Sequence, residues 1–168
     1  TARVVGADAA TIGALRGLGL AVRESLEFRP IEPEVDMVIL WGNGFLGSRG
    51  SLEEFYPRKH ASTFAHGLFD AVPVSFTELA NLPDWTELFV DLDGETFSMT
   101  EGQLLSFERK LDLRDGLLTR DLRWQSPKGK VSQLHFSRFI SRANERLCMQ
   151  KLVVTPENYS GEIQVRAG

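Results

Sequence analysis

An antiparallel β-sandwich is the fold class the sequence predicts, and three observations predict it. Turn-forming dipeptides separate short apolar runs: Asp93-Gly94 lies between residues 87–91 and 95–99, and Asp115-Gly116 between 107–112 and 117–124. A type I′ hairpin needs positive φ at both central residues, which Asp-Gly supplies at little cost. Residues 147–155 then alternate, with Leu147, Met149, Lys151, Val153 and Thr155 on one face, as the period of 2 in a strand requires. From Met37 onward the helical period is absent, and strands recur about every 8 to 12 residues with turn residues between them.

Taken in order, the chain opens differently. Arg3-Val4-Val5-Gly6 reads as a strand, Ala9 to Leu18 as a helix with Asp8 and Thr11 as capping residues, and Leu20-Ala21-Val22 as a second strand. Residues 1–22 are therefore expected to form a short α/β segment. Residues 23–36 are charged and carry Pro30 and Pro33, the composition of a linker. Residues 37–168 make up the sandwich. Within it, Ser126-Pro127-Lys128-Gly129 is a third turn, before Val131, and Asn158 to Gly161 turns the chain into a last strand at Glu162 to Val165. That strand runs to the end of the chain, and the sheet is expected to be unfinished there.

The most pointed local feature is Gly42-Asn43-Gly44-Phe45-Leu46-Gly47-Ser48-Arg49-Gly50, with four glycines in nine positions after the apolar run Met37 to Trp41. Glycine is used where φ must be positive or where another group approaches the backbone closely. The loop is thus a ligand site or a sharp corner. Gly42-x-Gly44-x-x-Gly47 matches the dinucleotide fingerprint, with Asp70 about 20 residues on, but that motif must open a helix. Gly50 and Pro57 interrupt the following residues, and in a helix interior they cost about 1 and about 3 kcal/mol. A compact corner is expected instead, with at least one glycine at positive φ and Arg49 clamped by a carboxylate or by backbone carbonyls.

Composition bounds the remaining classes. The 168 residues are 42% hydrophobic and 25% charged, ordinary for one globular domain. Net charge is −4 with no basic run, which argues against nucleic acid as a partner. No apolar stretch approaches the ~18 residues of a membrane span, and no secretory signal pattern opens the chain. The single cysteine, Cys148, excludes an internal disulfide and suits a reducing, cytoplasmic compartment; its place in an alternating strand makes it a small buried apolar residue.

Catalytic constellations are sparse. His60, His66 and His135 lack metal-ligand spacing, and no metal site or cofactor is expected. Ser48 and Ser51 lack the G-x-S-x-G spacing of a nucleophile elbow. Glu53-Glu54 could face a sugar, but adjacent carboxylates are more often solvated, and solvent is where they are expected. The aromatic residues Trp41, Phe45, Phe55, Tyr56, Phe64, Phe69 and Trp124 are expected mostly in the core, with Trp85 in a loop.

Five segments carry a family resemblance. Gly42 to Glu54 is similar to the opening motif of glycoside hydrolase family 65, the maltose, trehalose and kojibiose phosphorylases. Thr63-Phe64-Ala65-His66-Gly67-Leu68-Phe69-Asp70, Glu78 to Trp85, Leu111 to Arg120 and Val154 to Gly161 resemble the family's next four motifs in the same order. The resemblance implies the N-terminal β-supersandwich of the family, galactose-mutarotase-like and here truncated. It would precede an (α/α)6 catalytic barrel that holds the general-acid glutamate and the phosphate site. It further implies inverting cleavage of α-linked glucose disaccharides, with inorganic phosphate, or water in the hydrolases, attacking the anomeric carbon. On that reading no catalytic residue lies in this chain, and its role is to shape the active-site entrance and subunit contacts of an expected homodimeric parent; an independent carbohydrate-binding sandwich is the alternative. The expected substrate-binding residues are His60, His66 and Trp85, in the loops 56–69 and 81–85. Gly42, Asn43, Gly44, Gly47, Arg49 and Gly50 are expected to be structural. Residues 1–22 depart from the family and resemble the tail of a haloacid-dehalogenase-type domain, which in some proteins precedes a family 65 enzyme.

Overall fold

The computed structural model describes residues 21–24, 40–57, 59–70 and 77–168. Among these the chain forms strands and no helix: β1 (Ala21–Glu24), β2 (Leu40–Gly42), β3 (Leu46–Arg49), β4 (Thr63–Ala65), β5 (Phe69–Asp70), β6 (Glu78–Leu79), β7 (Leu88–Leu92), β8 (Gln103–Asp112), β9 (Leu117–Gln125), β10 (Val131–Ile140), β11 (Cys148–Pro156) and β12 (Ile163–Ala167). The main sheet has the order β1-β8-β9-β10-β11, and β12-β7, β2-β3-β4 and β5-β6 form smaller sheets. Every pairing between these strands is antiparallel, as the hairpin signals require.

The core lies between the main sheet and the β7–β12 pair. Leu122 and Trp124 from β9 and Leu134 and Phe136 from β10 face Leu88, Val90 and Leu92 from β7, with Phe97 from the following arm. Alternation puts these residues on inward faces, and burying each such side chain contributes roughly 1.5–3 kcal/mol. The Phe97 ring meets Trp124 edge-on at 5.4 Å, and the Trp124 indole N–H donates to the Glu101 carbonyl at 2.8 Å. The largest core side chain thus buries without an orphaned donor.

The turns set the register. Asp93 and Gly94 both take positive φ, 56° and 79°, as a type I′ turn demands. The Ser126–Gly129 turn closes with Gly129 at φ 85° and Ser126 N–H donating to the Lys130 carbonyl at 2.8 Å. The turn at Asp115-Gly116 departs from a two-residue hairpin: β8 ends at Asp112, β9 begins at Leu117, and only Gly116 is at positive φ. The Asp112 carboxylate accepts from the N–H groups of Arg114 (3.0 Å) and Asp115 (3.3 Å), a side-chain-supported turn that displaces the shorter one.

Other expectations change on folding. The helix expected at 9–18 and the strand at 3–6 lie outside the described residues. Ala21–Glu24 is an edge strand, paired from Ala21↔Asp112 to Glu24↔Arg109, so residues 23 and 24, expected in a linker, belong to the main sheet. Tyr56 and Trp124 are buried, whereas Phe55 and Phe69 are exposed. Cys148 is half-buried rather than buried, and partial burial raises its thiol pKa.

Candidate functional site

The glycine-rich segment folds as the hairpin β2–β3, with Gly44 at φ 100°. Asn43 organises it. Its amide oxygen accepts from the N–H groups of Phe45 (2.9 Å) and Leu46 (2.8 Å), and its amide nitrogen donates to the carbonyls of Ser141 (2.6 Å) and Glu145 (2.9 Å). One side chain therefore closes the corner and ties it to the β10–β11 turn. At Gly42 a Cβ would lie 2.4 Å from the Leu46 carbonyl oxygen, so glycine there is a matter of close backbone approach. Arg49 donates through its guanidinium to the His60 carbonyl at 3.4 Å, and its backbone N–H to Ser62 at 2.8 Å.

Beside this corner runs an open groove of ≈ 340 Å³, lined by Gly42, Gly44, Phe45, Phe64, His66 and Leu79 among others. The exposed His66 ring sits at its rim, and the His66 N–H donates to the Phe45 carbonyl at 2.8 Å. His60 is exposed but does not line the groove, and neither does Trp85. Trp85 is half-buried, its carbonyl accepts from the Gln150 amide at 3.3 Å, and its indole N–H is buried with no hydrogen-bond partner among the described residues. Of the three residues expected to bind substrate, only His66 lines the groove beside the glycine hairpin; His60 meets the hairpin through its backbone carbonyl and Arg49.

Beneath the loop that follows lies a charged network that the sequence reading missed. Glu53 and Glu54, expected in solvent, are buried, at 4% and 3% exposure. Arg109 from β8, Arg120 from β9 and Arg138 from β10 face inward from the main sheet to meet them. Glu54 takes both terminal nitrogens of Arg120, at 2.8 and 2.5 Å. Glu53 lies 2.8 Å from Arg120 Nη2 and 3.5 Å from Arg138 Nε. Arg109 donates to the Gly50 carbonyl and Arg138 to the Ser51 carbonyl. The Arg120 guanidinium also stacks 4.2 Å from the centre of the Phe136 ring. On the far side of the loop, Lys59 Nζ reaches Asp84 (2.9 Å), Glu87 (3.3 Å) and the Glu53 carbonyl (3.3 Å).

The electrostatics follow from that crowding. Burial raises the Glu53 pKa, but Arg120, Arg138 and Arg109 together outweigh it and hold the carboxyl below its ordinary value. Burial draws Arg138 down and Glu53 pulls it back up; the neighbouring Arg109 and Arg120 add to the depression, and the guanidinium settles at about 10, still charged at neutral pH. Glu53 is thus a fixed anion in an ion-pair lattice, which suits it to hold a loop and unsuits it to donate a proton. Among the described residues no three His, Cys, Asp or Glu side chains group to hold a metal ion, and no helix is long and apolar enough to cross a membrane. The signal for the network was present in the sequence. Arg109, Arg120 and Arg138 occupy inward positions between Phe107 and Leu111, Leu118 and Leu122, and Phe136 and Ile140, where alternation calls for apolar residues.

The described residues define an antiparallel β-sandwich domain whose glycine hairpin leads into a loop held by buried arginines. Residues 35–168 match the model of the glycosyl hydrolase family 65 N-terminal domain, and the chain belongs to that family. It is 37% identical to a kojibiose phosphorylase of Halothermothrix orenii over 81% of this chain and 17% of that protein. It is 26% identical to an α,α-trehalose phosphorylase of Thermoanaerobacter brockii over 77% of this chain and 19% of that protein. An uncharacterized glycosyl hydrolase of Mycobacterium tuberculosis is 33% identical over 75% of this chain and only 10% of its own length. The fold is that of a solved "Putative kojibiose phosphorylase from human microbiome", with a TM-score of 0.73 at 19% identity over 86% of this chain and 21% of that one. The chain thus spans about a sixth to a fifth of the length of the phosphorylases it matches.

Proposed function

We propose that this chain is the non-catalytic N-terminal portion of an inverting phosphorylase or hydrolase of α-linked glucose disaccharides, shaping the entrance to an active site carried by another part of the protein. The observation that carries the reading is the match over 35–168 to a family whose phosphorylase members extend far beyond the matched stretch. The commitment of Glu53 and Glu54 to buried arginines supports it, since the loop's acidic pair is engaged in holding structure. In the whole protein a downstream (α/α)6 barrel supplies the general acid, inorganic phosphate is the co-substrate if the enzyme is a phosphorylase, and the setting is cytoplasmic. His66, on the groove beside the glycine hairpin, is the residue of this domain that borders the sugar entrance, with His60 and Trp85 in neighbouring loops. The sequence resemblance of residues 1–22 to the tail of a haloacid-dehalogenase-like domain supports such a domain ahead of β1, with residues 21 and 22 themselves taken into the main sheet. The mycobacterial relative, of which the matched stretch is a smaller share than of the phosphorylases, gives room for such an addition.

The experiment is a comparison of the 168-residue chain with the full-length protein. The chain alone should neither phosphorolyse nor hydrolyse maltose, trehalose or kojibiose, and the full-length protein should act on at least one of them. Turnover by the purified chain, abolished by a point substitution within it, would overturn the reading. Saturable binding of glucose or maltose to the chain alone would favour an independent carbohydrate-binding sandwich.

A further inference from the structure

Gly47 is a glycine that the fold does not need. It lies inside β3, where glycine offers no side chain to pack and gives up more chain entropy than any other residue. Two needs ordinarily account for one: a positive φ, or a group too close to leave room for a Cβ. Gly44 has the first, at φ 100°, and Gly42 the second, with the Leu46 carbonyl oxygen 2.4 Å from where its Cβ would stand. Gly47 has neither. It is not among the glycines at positive φ, and a Cβ there would meet nothing within 4 Å. A third need, cover by an aromatic ring on the neighbouring strand, fails as well. Phe64 pairs directly with Gly47 across β3 and β4, yet its ring stays beyond that distance.

The bare position opens on a defined space. Next along each strand, Ser48 and Thr63 are buried and their hydroxyls meet at 3.3 Å, so alternation turns Gly47 and Phe64 to the other face. There both line the groove of ≈ 340 Å³, at the small end of the ~300–1,000 Å³ of ligand sites. Phe64 gives the groove an aromatic wall and His66 a polar rim. Phe45 adds a second ring, with the Arg146 guanidinium 5.5 Å from its centre. An aromatic wall beside a missing side chain suits a flat ligand with one apolar face and a hydroxylated edge, which is the chemistry of a pyranose.

On the reading of this domain as the border of a sugar entrance, we infer that Gly47 and Phe64 form the platform for the outer ring of the disaccharide, the ring that departs as the leaving group. Phe64 takes the C–H face of that ring, and the missing side chain of Gly47 makes the room. An entrance holds the ring farther from the cleaved anomeric carbon, because the other ring must reach the general acid and the attacking phosphate or water deeper in the site. Gly47 and Phe64 therefore act on recognition of the outer ring and not on the chemistry of the cleaved bond.

The test uses the full-length protein and whichever of maltose, trehalose and kojibiose it turns over, with α-glucosyl fluoride as a substrate that has the glucosyl ring and no outer ring. Gly47→Ala should raise KM for the disaccharide about threefold and Gly47→Val about tenfold, with kcat held, because binding of the outer ring is lost equally in ground and transition states. Phe64→Ala should raise it about tenfold, and Phe64→Tyr, which keeps the ring, should restore it. Fluoride release from α-glucosyl fluoride should stay constant in every variant, and neither Gly47 variant should melt below the parent, since a side chain in a strand interior replaces a costly glycine. An unaltered disaccharide KM in both Gly47→Val and Phe64→Ala would overturn the inference. Equal losses on the disaccharide and on α-glucosyl fluoride would also overturn it, because the groove would then not be reading the outer ring. A lowered melting temperature in Gly47→Val would overturn it as well, and would show that protein rather than sugar fills the groove. A parent protein that turns over none of the three disaccharides counts instead against the proposed function, before any variant is compared.

Discussion

Glu54 grips Arg120 through both carboxylate oxygens, across 66 residues of sequence and at the floor of the loop that follows the glycine hairpin. The planar guanidinium suits this two-point contact, and Phe136 supports it from one side at 4.2 Å. Removing Arg120 strips Glu54 of its paired cation, and removing Glu54 leaves Arg120 its contact to Glu53, so either change breaks a buried two-point ion pair. Glu54→Gln or Arg120→Met should therefore destabilise the chain by about 3–5 kcal/mol, read as a lower urea midpoint with an unchanged slope. Arg120→Lys should recover little of this, because an ammonium cannot make the paired contact. A midpoint unchanged in both single variants would contradict the role assigned to the pair.

Acid should unfasten the same loop. Glu53 is held below its ordinary value of 4.5 because Arg120, Arg138 and Arg109 outweigh the cost of burial. On the sheet's exposed face, hydrogen bonds from Arg123 and Gln133 pull Glu157 down to about 2. A carboxyl depressed on folding binds protons more readily when unfolded, so its contribution is full above about pH 5 and is lost as pH falls through the folded value. Stability should be level from pH 7 to about 5 and then decline toward pH 2. Glu53→Gln should lower the plateau and flatten the upper part of that decline. Denaturation midpoints measured at each pH test this, and a midpoint unchanged from pH 7 to 3 would refute it.

How much of this could be read from the sequence follows from how local each cause is. The positive-φ turn at Asp93-Gly94 and the alternation of β11 were legible because the sign of φ and the period of 2 are decided within a few residues, whereas residues 95–99, expected as a strand, make only a single bridge at Thr96, and β7 takes β12 as its strand partner. The turn at Asp115-Gly116 misled because the decisive group, the Asp112 carboxylate, lies outside the dipeptide. Glu53 and Glu54 were misplaced for a stronger version of the same reason. Adjacent carboxylates do favour water, and only arginines on three distant strands reverse that preference. The glycine hairpin was legible as a corner. Its dependence on Asn43, which reaches the backbone of Ser141 and Glu145 about a hundred residues on, was not.

The corner yields a graded prediction. Gly44 has φ 100° and open space where a Cβ would stand, so Gly44→Ala suffers backbone strain alone and should cost about 1–2 kcal/mol. Gly42→Ala must move the Leu46 carbonyl, 2.4 Å from the new atom, and should cost more. Asn43→Ala loses two turn hydrogen bonds and both links to the β10–β11 turn, and should cost about 2 kcal/mol or more. Thermal melts of the three variants give the order. A Gly44→Ala protein as stable as the parent but altered in ligand binding would show that the loop is a site rather than a corner.

The last prediction separates the three residues expected at the sugar entrance. His66 rims the groove beside Gly42, Gly44 and Phe64, where its exposed ring can meet a hydroxyl of a bound sugar. His60 is also exposed but stands off the groove, and the half-buried Trp85 is tied to β11 by its backbone carbonyl, which accepts from Gln150. In the full-length protein, His66→Ala should therefore raise KM for the disaccharide about three- to tenfold with kcat unchanged, the signature of one lost hydrogen bond of about 1 kcal/mol made equally in ground and transition states. His60→Ala should leave both constants near their starting values. Trp85→Ala should act on the domain itself, lowering its melting temperature through lost packing. KM for phosphate should stay constant in all three, since on the proposed reading that ion is held elsewhere. If His66→Ala changes neither constant, the groove only packs against its surroundings, and the entrance lies on another face of the sandwich.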